Sequence, residues 1–173
     1  MKLRGKTWRY SWLIGCLCLC FDIRAIEADM LLKAKFIARF VQLTEWPPPP
    51  PSQFRYCVAG NLALLAALQH TKLYSSNGEP LHIVAIDQPA QALSCQLLVL
   101  SLQQHAELSR WQQQLQQTPV LIITDNSEAF YRLAMIGLVT TPDGISFRIN
   151  HSLAEQRGLK LSSQLLKLAT EVL

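Results

Sequence analysis

The groups in this chain that could do chemistry are five cysteines, four histidines and a thin scatter of acids. Their spacing argues against most chemistries. His70, His82, His105 and His151 lie far apart, and none belongs to a His-x-x-x-His pattern. No cysteine pair has zinc-ligand spacing, and no Gly-x-Ser-x-Gly elbow is present. Gly60-Asn61 follows an apolar run, where a phosphate site would begin, yet Gly-x-Gly-x-x-Gly and Gly-x-x-x-x-Gly-Lys-Ser/Thr are both missing. Asp125 ends another apolar run, as a phosphoacceptor or metal ligand would. Asp125-Asn126-Ser127-Glu128 is also a capping-box pattern, which explains the acid with fewer assumptions. The expectation is a non-enzyme with no catalytic residue, no metal and no cofactor.

The cysteines depend on the compartment. Lys2, Arg4, Lys6 and Arg9 precede residues 10–21, a mostly apolar run shorter than the ~20 residues of a membrane span. This reads as a secretory signal over residues 1–28, with the exported domain over 29–173. The candidate cleavage points follow Ala25 and Ala28, and each has Ile at the −3 position where the small-x-small rule calls for a small residue. The rivals are an uncleaved anchor and a lipoprotein, since Leu13-Ile14-Gly15-Cys16 resembles a lipobox. Cleavage removes Cys16, Cys18 and Cys20. Cys57 and Cys95 remain, an even number in an oxidising compartment. They form a bridge if their strands are neighbours; the competing state is two buried free thiols. Of the net charge of +4, part sits in the signal, and no Lys/Arg stripe remains to bind nucleic acid.

Residues 95–100 (Cys-Gln-Leu-Leu-Val-Leu) organise the rest. A strand that is apolar on both faces needs both faces covered, which points to a parallel sheet between helices. Similar runs at 56–59, 81–86 and 120–124 supply its neighbours. The periodicity predicts helices over 29–45, 62–69, 103–117 and from Ser162 or Ser163 onward. In the first, Leu32, Phe36, Phe40 and Leu43 form the inward stripe, widened by Ile37 and Val41; in the last, Leu165, Leu166 and Leu168 do. Trp46 ends the first helix, and Pro47 to Pro51 make a stiff extended connector. Ser75-Ser76-Asn77-Gly78 marks a turn. Thr141-Pro142-Asp143-Gly144 turns an antiparallel hairpin between 136–140 and 145–150. The fold class is α/β, one small domain with a mainly parallel Rossmann-/flavodoxin-like sheet flanked by helices, with an edge hairpin near the C-terminus; the order 2-1-3-4-5, common in such sheets, is the one that would make the two cysteine strands neighbours.

Several stretches together resemble one family. Lys33-Ala34-Lys35-Phe36 with Thr44-Glu45-Trp46-Pro47 resembles the opening of YfiR-like periplasmic proteins. Tyr56-Cys57-Val58-Ala59-Gly60 is similar to their first strand, and Ser94-Cys95-Gln96-Leu97-Leu98-Val99-Leu100 to their cysteine-bearing central strand. Pro119-Val120-Leu121-Ile122-Ile123-Thr124-Asp125 is similar to a third strand. Phe147-Arg148-Ile149-Asn150, followed by Gly158-Leu159-Lys160-Leu161-Ser162-Ser163-Gln164-Leu165, resembles their C-terminal signature. Two positions depart from the pattern. Leu133-Ala134-Met135-Ile136 stands for Gly-Gly-Met-Ile, so the backbone there is expected to differ or relax. Arg148 stands for Glu and reverses a charge on the hairpin.

The resemblance implies a periplasmic regulator. It would bind the periplasmic domain of an inner-membrane diguanylate cyclase and repress it, controlling cyclic di-GMP and biofilm formation. An OmpA-like outer-membrane lipoprotein would be a second partner. The resemblance also implies a Cys57–Cys95 disulfide and a homodimer. The alternative is a small-molecule-binding module serving a sensor kinase or outer-membrane receptor. Trp46, Arg148 and Asn150 are the candidate partner surface, because Trp and Arg concentrate at interface hot spots. The competing roles are a packed helix end for Trp46 and a turn residue for Asn150.

Overall fold

Leu97–Leu100 forms a strand in which all four residues are buried, and its backbone pairs with parallel neighbours on both sides. In chain order the strands are β1 (Thr44–Glu45), β2 (Arg55–Ala59), β3 (His82–Ala85), β4 (Leu97–Leu100), β5 (Leu121–Thr124), β6 (Ile136–Thr141), β7 (Gly144–Ile149), β8 (Lys160–Leu161) and β9 (Glu171–Val172). The helices are α1 (Ser11–Gln42), α2 (Leu62–His70), α3 (His105–Leu115), α4 (Ser127–Arg132), α5 (His151–Gln156) and α6 (Ser163–Leu168). This computed structural model describes residues 11–49, 53–71 and 81–173, with side chains described from Ile26 onward. The basic start of the expected signal, Pro50, Pro51 and the turn at Ser75-Ser76-Asn77-Gly78 lie outside the described residues.

The main sheet has seven strands in the order β3-β2-β4-β5-β6-β7-β9. β3, β2, β4, β5 and β6 run parallel, as the doubly apolar runs require. The first five strands therefore take the flavodoxin-like order. β6 and β7 form the antiparallel hairpin, with Thr141 opposite Gly144. β9 adds a further edge strand parallel to β7, which the periodicity does not announce. Right-handed crossovers put α2 on one face and α3 and α4 on the other. α1 lies against α2, and α3 packs beside a 3-10 segment, Pro89–Ser94.

Three local expectations change. The first helix ends at Gln42 rather than at residue 45. Pro47 disfavours helix ahead of it, and Thr44 and Glu45 pair antiparallel with Leu161 and Lys160 instead. The inward face of α1 is Ala34, Ile37 and Phe40, flanked by Lys33, while Leu31 and Leu32 are exposed. Phe40 and Phe36 meet Phe147 of the hairpin, with centroids 4.9 and 6.4 Å away, and this contact sets the helix's rotation. On α6, Leu165 is buried but Leu168 is 63% exposed, because the helix stops there and β9 turns away. Elsewhere the pattern stands: Leu108, Trp111 and Leu115 of α3 are all buried.

Cys57 of β2 and Cys95, the residue after the 3-10 segment, are joined in a disulfide with Cα atoms 6.1 Å apart. Cys95 thus sits just ahead of β4 rather than inside it. β2 and β4 being neighbours makes the bridge possible. The bonded pair is 38 residues apart in sequence, so closing the loop in the unfolded chain is worth about 2–4 kcal/mol in the chain-entropy account. Reduction, or Cys57→Ala with Cys95→Ala, should lower unfolding stability by that amount in urea titrations; an unchanged midpoint would contradict a native bridge. Gly60 closes β2 at φ +84°, and a Cβ there would stand 2.5 Å from the Ser101 carbonyl oxygen. Gly60→Ala should therefore destabilise the domain by roughly 1–3 kcal/mol, read in the same titration.

Candidate functional site

Parallel sheets gather their strand ends, and the place where the strand order reverses is the usual ligand crevice. Here that place lies between the carboxyl ends of β2 and β4. Gly60, Ser101 and Asp125 follow β2, β4 and β5 directly and form its rim. α1 crosses above. Its Lys33 is only 7% exposed, with Nζ 3.1 Å from Asp29 Oδ2 and 3.8 Å from Asp125 Oδ2. Asn61 caps α2 by accepting the Leu64 amide at 2.9 Å, and its Nδ2 lies 3.9 Å from Met30 Sδ. The crevice is thus roofed by α1, and its polar groups hold the roof down. Ser101 Oγ and Asp125 Oδ1 are buried with no partner among the described residues.

Asp125 is therefore not the cap of α4. Asn126 takes that role, accepting the Ala129 amide at 2.9 Å. Thr124 Oγ1 donates to the Leu100 carbonyl at 2.6 Å and accepts from the Asn126 amide at 3.1 Å, tying β5 to β4. Glu128 pairs with His105 and Arg132 instead of reaching back. The cluster carries no nucleophile matched to a base. Among the described residues no three His, Cys, Asp or Glu side chains could share a metal ion. Burial raises the pKa of the Tyr56 phenol on β2, which leaves that hydroxyl protonated.

The three candidate surface residues lie elsewhere and are not clustered into one site. Arg148 projects from β7 with its guanidinium carbon 4.8 Å from the Phe130 ring centre and 5.3 Å from that of Tyr131. Nη1 donates to Tyr131 Oη at 3.0 Å and Nη2 to Ser127 Oγ at 3.1 Å, and Glu171 of β9 lies 3.7 Å away. The arginine joins α4, β7 and β9, with Tyr131 standing 55% exposed beside it. The charge reversal at this position thus comes with an acid across the ladder, since Arg148 pairs in register with Glu171. Asn150 caps α5 by accepting the Leu153 amide at 2.9 Å. Trp46 stacks edge-on against Phe54 with centroids 4.9 Å apart. Its indole Nε1 is buried without an acceptor among the described residues.

The Leu133-Ala134-Met135-Ile136 departure is absorbed inside the core. All four residues are fully buried, and Leu133 has φ −151°, which any residue adopts. The sequence periodicity missed the burial of Lys33 and of Arg157, which is 8% exposed. The Asp29–Lys33 spacing of four residues on one helix was the available signal for the first. Nothing in the local sequence marks the second.

Comparison with known proteins follows this geometry. Residues 31–170 match the model of a family described as YfiR/HmsC-like. No curated protein matches the chain significantly. A conserved domain protein of Vibrio cholerae O1 biovar El Tor is similar in fold, with a TM-score of 0.54 at 14% identity over 83% of this chain and 60% of that one. The ABC domain of a Streptococcus pneumonia protein, solved with L-Trp, gives 0.56 at 9% identity over 81% and 62%. The chain therefore spans about three-fifths of each of these structures, and the likeness is one of fold.

Lys33 is the latch on which this end depends. Lys33→Met should destabilise the domain by about 1–2 kcal/mol, because its acids are partly solvated and the pair is discounted accordingly. Adding Asp125→Asn should recover part of that loss in urea titration. Strict additivity of the two changes would show that the pair is not coupled.

Proposed function

This chain belongs to the YfiR/HmsC-like family, and on that premise we propose that it is an exported regulator of cyclic di-GMP signalling. It acts in the periplasm after removal of residues 1–28. It binds the periplasmic domain of an inner-membrane diguanylate cyclase and favours the inactive arrangement of that enzyme. An OmpA-like outer-membrane lipoprotein competes for it, and the working form is a homodimer. The observation that carries this reading is the family match over residues 31–170, nearly the whole of the folded body. Export is supported by the basic start and the short apolar run at residues 10–21. Among the described residues no helix is long and apolar enough to cross a membrane.

Repression by such a protein is a difference of affinities. To shift a cyclase about 100-fold toward its inactive form, the regulator must bind that form ~2.7 kcal/mol more tightly than the active one. The Arg148–Tyr131 edge suits such a contact. It offers an exposed aromatic ring next to an arginine already held in place by Phe130, Ser127 and Glu171. Preorganised side chains lose little entropy on binding.

A second reading has its own observation. Ser101 Oγ and Asp125 Oδ1 stand without a partner among the described residues at the strand-order switch, where open α/β sheets bind small molecules. One structure of similar fold holds L-Trp. On this reading the protein carries a ligand signal to a sensor kinase or an outer-membrane receptor.

In-cell cross-linking of the tagged protein with mass spectrometry separates the two. The regulator reading expects a membrane protein with a cyclase domain among the captured species, and Tyr131→Ala with Arg148→Ala should reduce that capture by roughly tenfold or more. Gene deletion should raise cyclic di-GMP and biofilm and reduce motility; no change in any of them would sink the reading. The ligand reading expects a thermal shift with an amino acid, nucleotide or peptidoglycan fragment, and a flat screen would remove its support.

A further inference from the structure

The opposite end of the sheet holds two adjoining grooves that neither reading uses. One, of about 620 Å³, is lined by Pro47, Gln116, Gln117, Pro119, Gln156, Arg157 and Gly158. The other, of about 220 Å³, includes Trp46 in its wall and shares Pro47 and Pro119 with the first. Among the described residues no acidic side chain lines either groove.

Arg157 is the anomaly there. It is 92% buried by its 8% exposure, and its Nε and Nη1 are buried with no hydrogen-bond partner among the described residues. No described carboxylate pairs with it. The carbonyls ending α5 are already taken. Leu153 and Ala154 accept from the Arg157 amide, Glu155 accepts from Gly158, and Ala154 also accepts from Leu159. Burial lowers the Arg157 pKa, yet a guanidinium stays charged at neutral pH. A buried cation without a counter-charge is strongly unfavourable, so such a site calls for an anion. In the adjoining groove Trp46 Nε1–H is a second buried donor without an acceptor.

We propose that these grooves form a binding site for an extended peptide that presents a free carboxylate to Arg157 and a backbone carbonyl to Trp46. One cation without a counter-charge among the described residues matches the single charge of a carboxylate, whose two oxygens can bridge Nη1 and Nη2 on one edge of the guanidinium. A second, neutral donor one groove away matches a carbonyl further along the same chain. The proline walls suit an extended strand, and the amides of Gln116, Gln117 and Gln156 can bond its backbone. The site lies at the amino-terminal end of the strands, away from both Arg148 and the Lys33 crevice, and does not rest on the regulator reading.

The test is a ¹H–¹⁵N NMR titration of the intact exported domain with N-acetyl-diglycine, its C-terminal amide and acetate. The free acid should move both the Arg157 Nε–Hε and Trp46 Nε1–Hε1 signals, with a dissociation constant of roughly 1 mM for so small a probe. The amide should bind at least about tenfold more weakly, and acetate should move Arg157 alone. Arg157→Gln should abolish the response while the melting temperature holds or rises, since it removes an unpaired buried charge. If that variant fails to fold, Gln116→Glu, at an exposed wall position, should weaken binding by repulsion. Equal binding of acid and amide, no movement of Arg157 up to about 50 mM, or acetate binding as tightly as the dipeptide would each overturn the proposal.

Discussion

The structure depends on one constraint: β4 and β5 are apolar on both faces and must be covered on both. All eight of their residues are buried, so helices have to return to each side of the sheet. Right-handed crossovers then leave few arrangements, and the chain takes the one in which β2 lies between β3 and β4. That adjacency brings Cys57 alongside Cys95. It also places Gly60 so close to Ser101 that no side chain fits. α1 completes the cover on one face by setting Ile37 and Phe40 into the core and Phe40 against Phe147.

A sheet so thoroughly covered pushes its polar groups to its ends and edge. At the carboxyl ends, Lys33 and two acids fasten α1 over the crevice. At the edge, Arg148 is sandwiched against Phe130 and Tyr131 and tethered to Glu171. At the amino ends, Arg157 and Trp46 keep donors without acceptors among the described residues. The charged groups of the first two sets have an opposite charge beside them and act chiefly as fastenings, although Ser101 Oγ, Asp125 Oδ1 and Arg148 Nε keep no hydrogen-bond partner among the described residues. Among the described residues the charge of Arg157 in the third set has no such partner, and a buried cation left in that state calls for an anion from elsewhere.

The architecture suits a protein that works by being bound. The disulfide, the continuous parallel ladder and the latch on α1 all favour one rigid body. Its identity as a YfiR/HmsC-like chain rests on residues spread over the whole body rather than on a reactive constellation. The two departures from the family pattern are accommodated in physical terms. Leu133 and Ala134 fill the core, and Arg148 finds Glu171 opposite it on the neighbouring strand. Neither requires a change of fold.

Much of the fold was legible in the sequence, because burial on both faces of a strand leaves a local signature. The runs at β2, β4 and β5, the Leu108, Trp111 and Leu115 face of α3 and the Pro-Asp-Gly hairpin turn could all be read that way. Hydrophobic spacing was a poorer guide at the margins. It turned Leu32 and Leu168 inward and missed β9, because those choices depend on what packs opposite. The polar sites were the least legible. Asp125 carried a convincing capping pattern, but Lys33 from a helix nearly a hundred residues earlier claimed it, and Asn126 took the cap. Arg157 looks like any surface arginine until the fold buries it at the end of α5, in the wall of a groove it shares with Pro47. The sequence by itself determined which segments must be inside; only the tertiary structure decided which charges were left there and which of them found partners, because charge pairing is set by distances between segments remote in the chain.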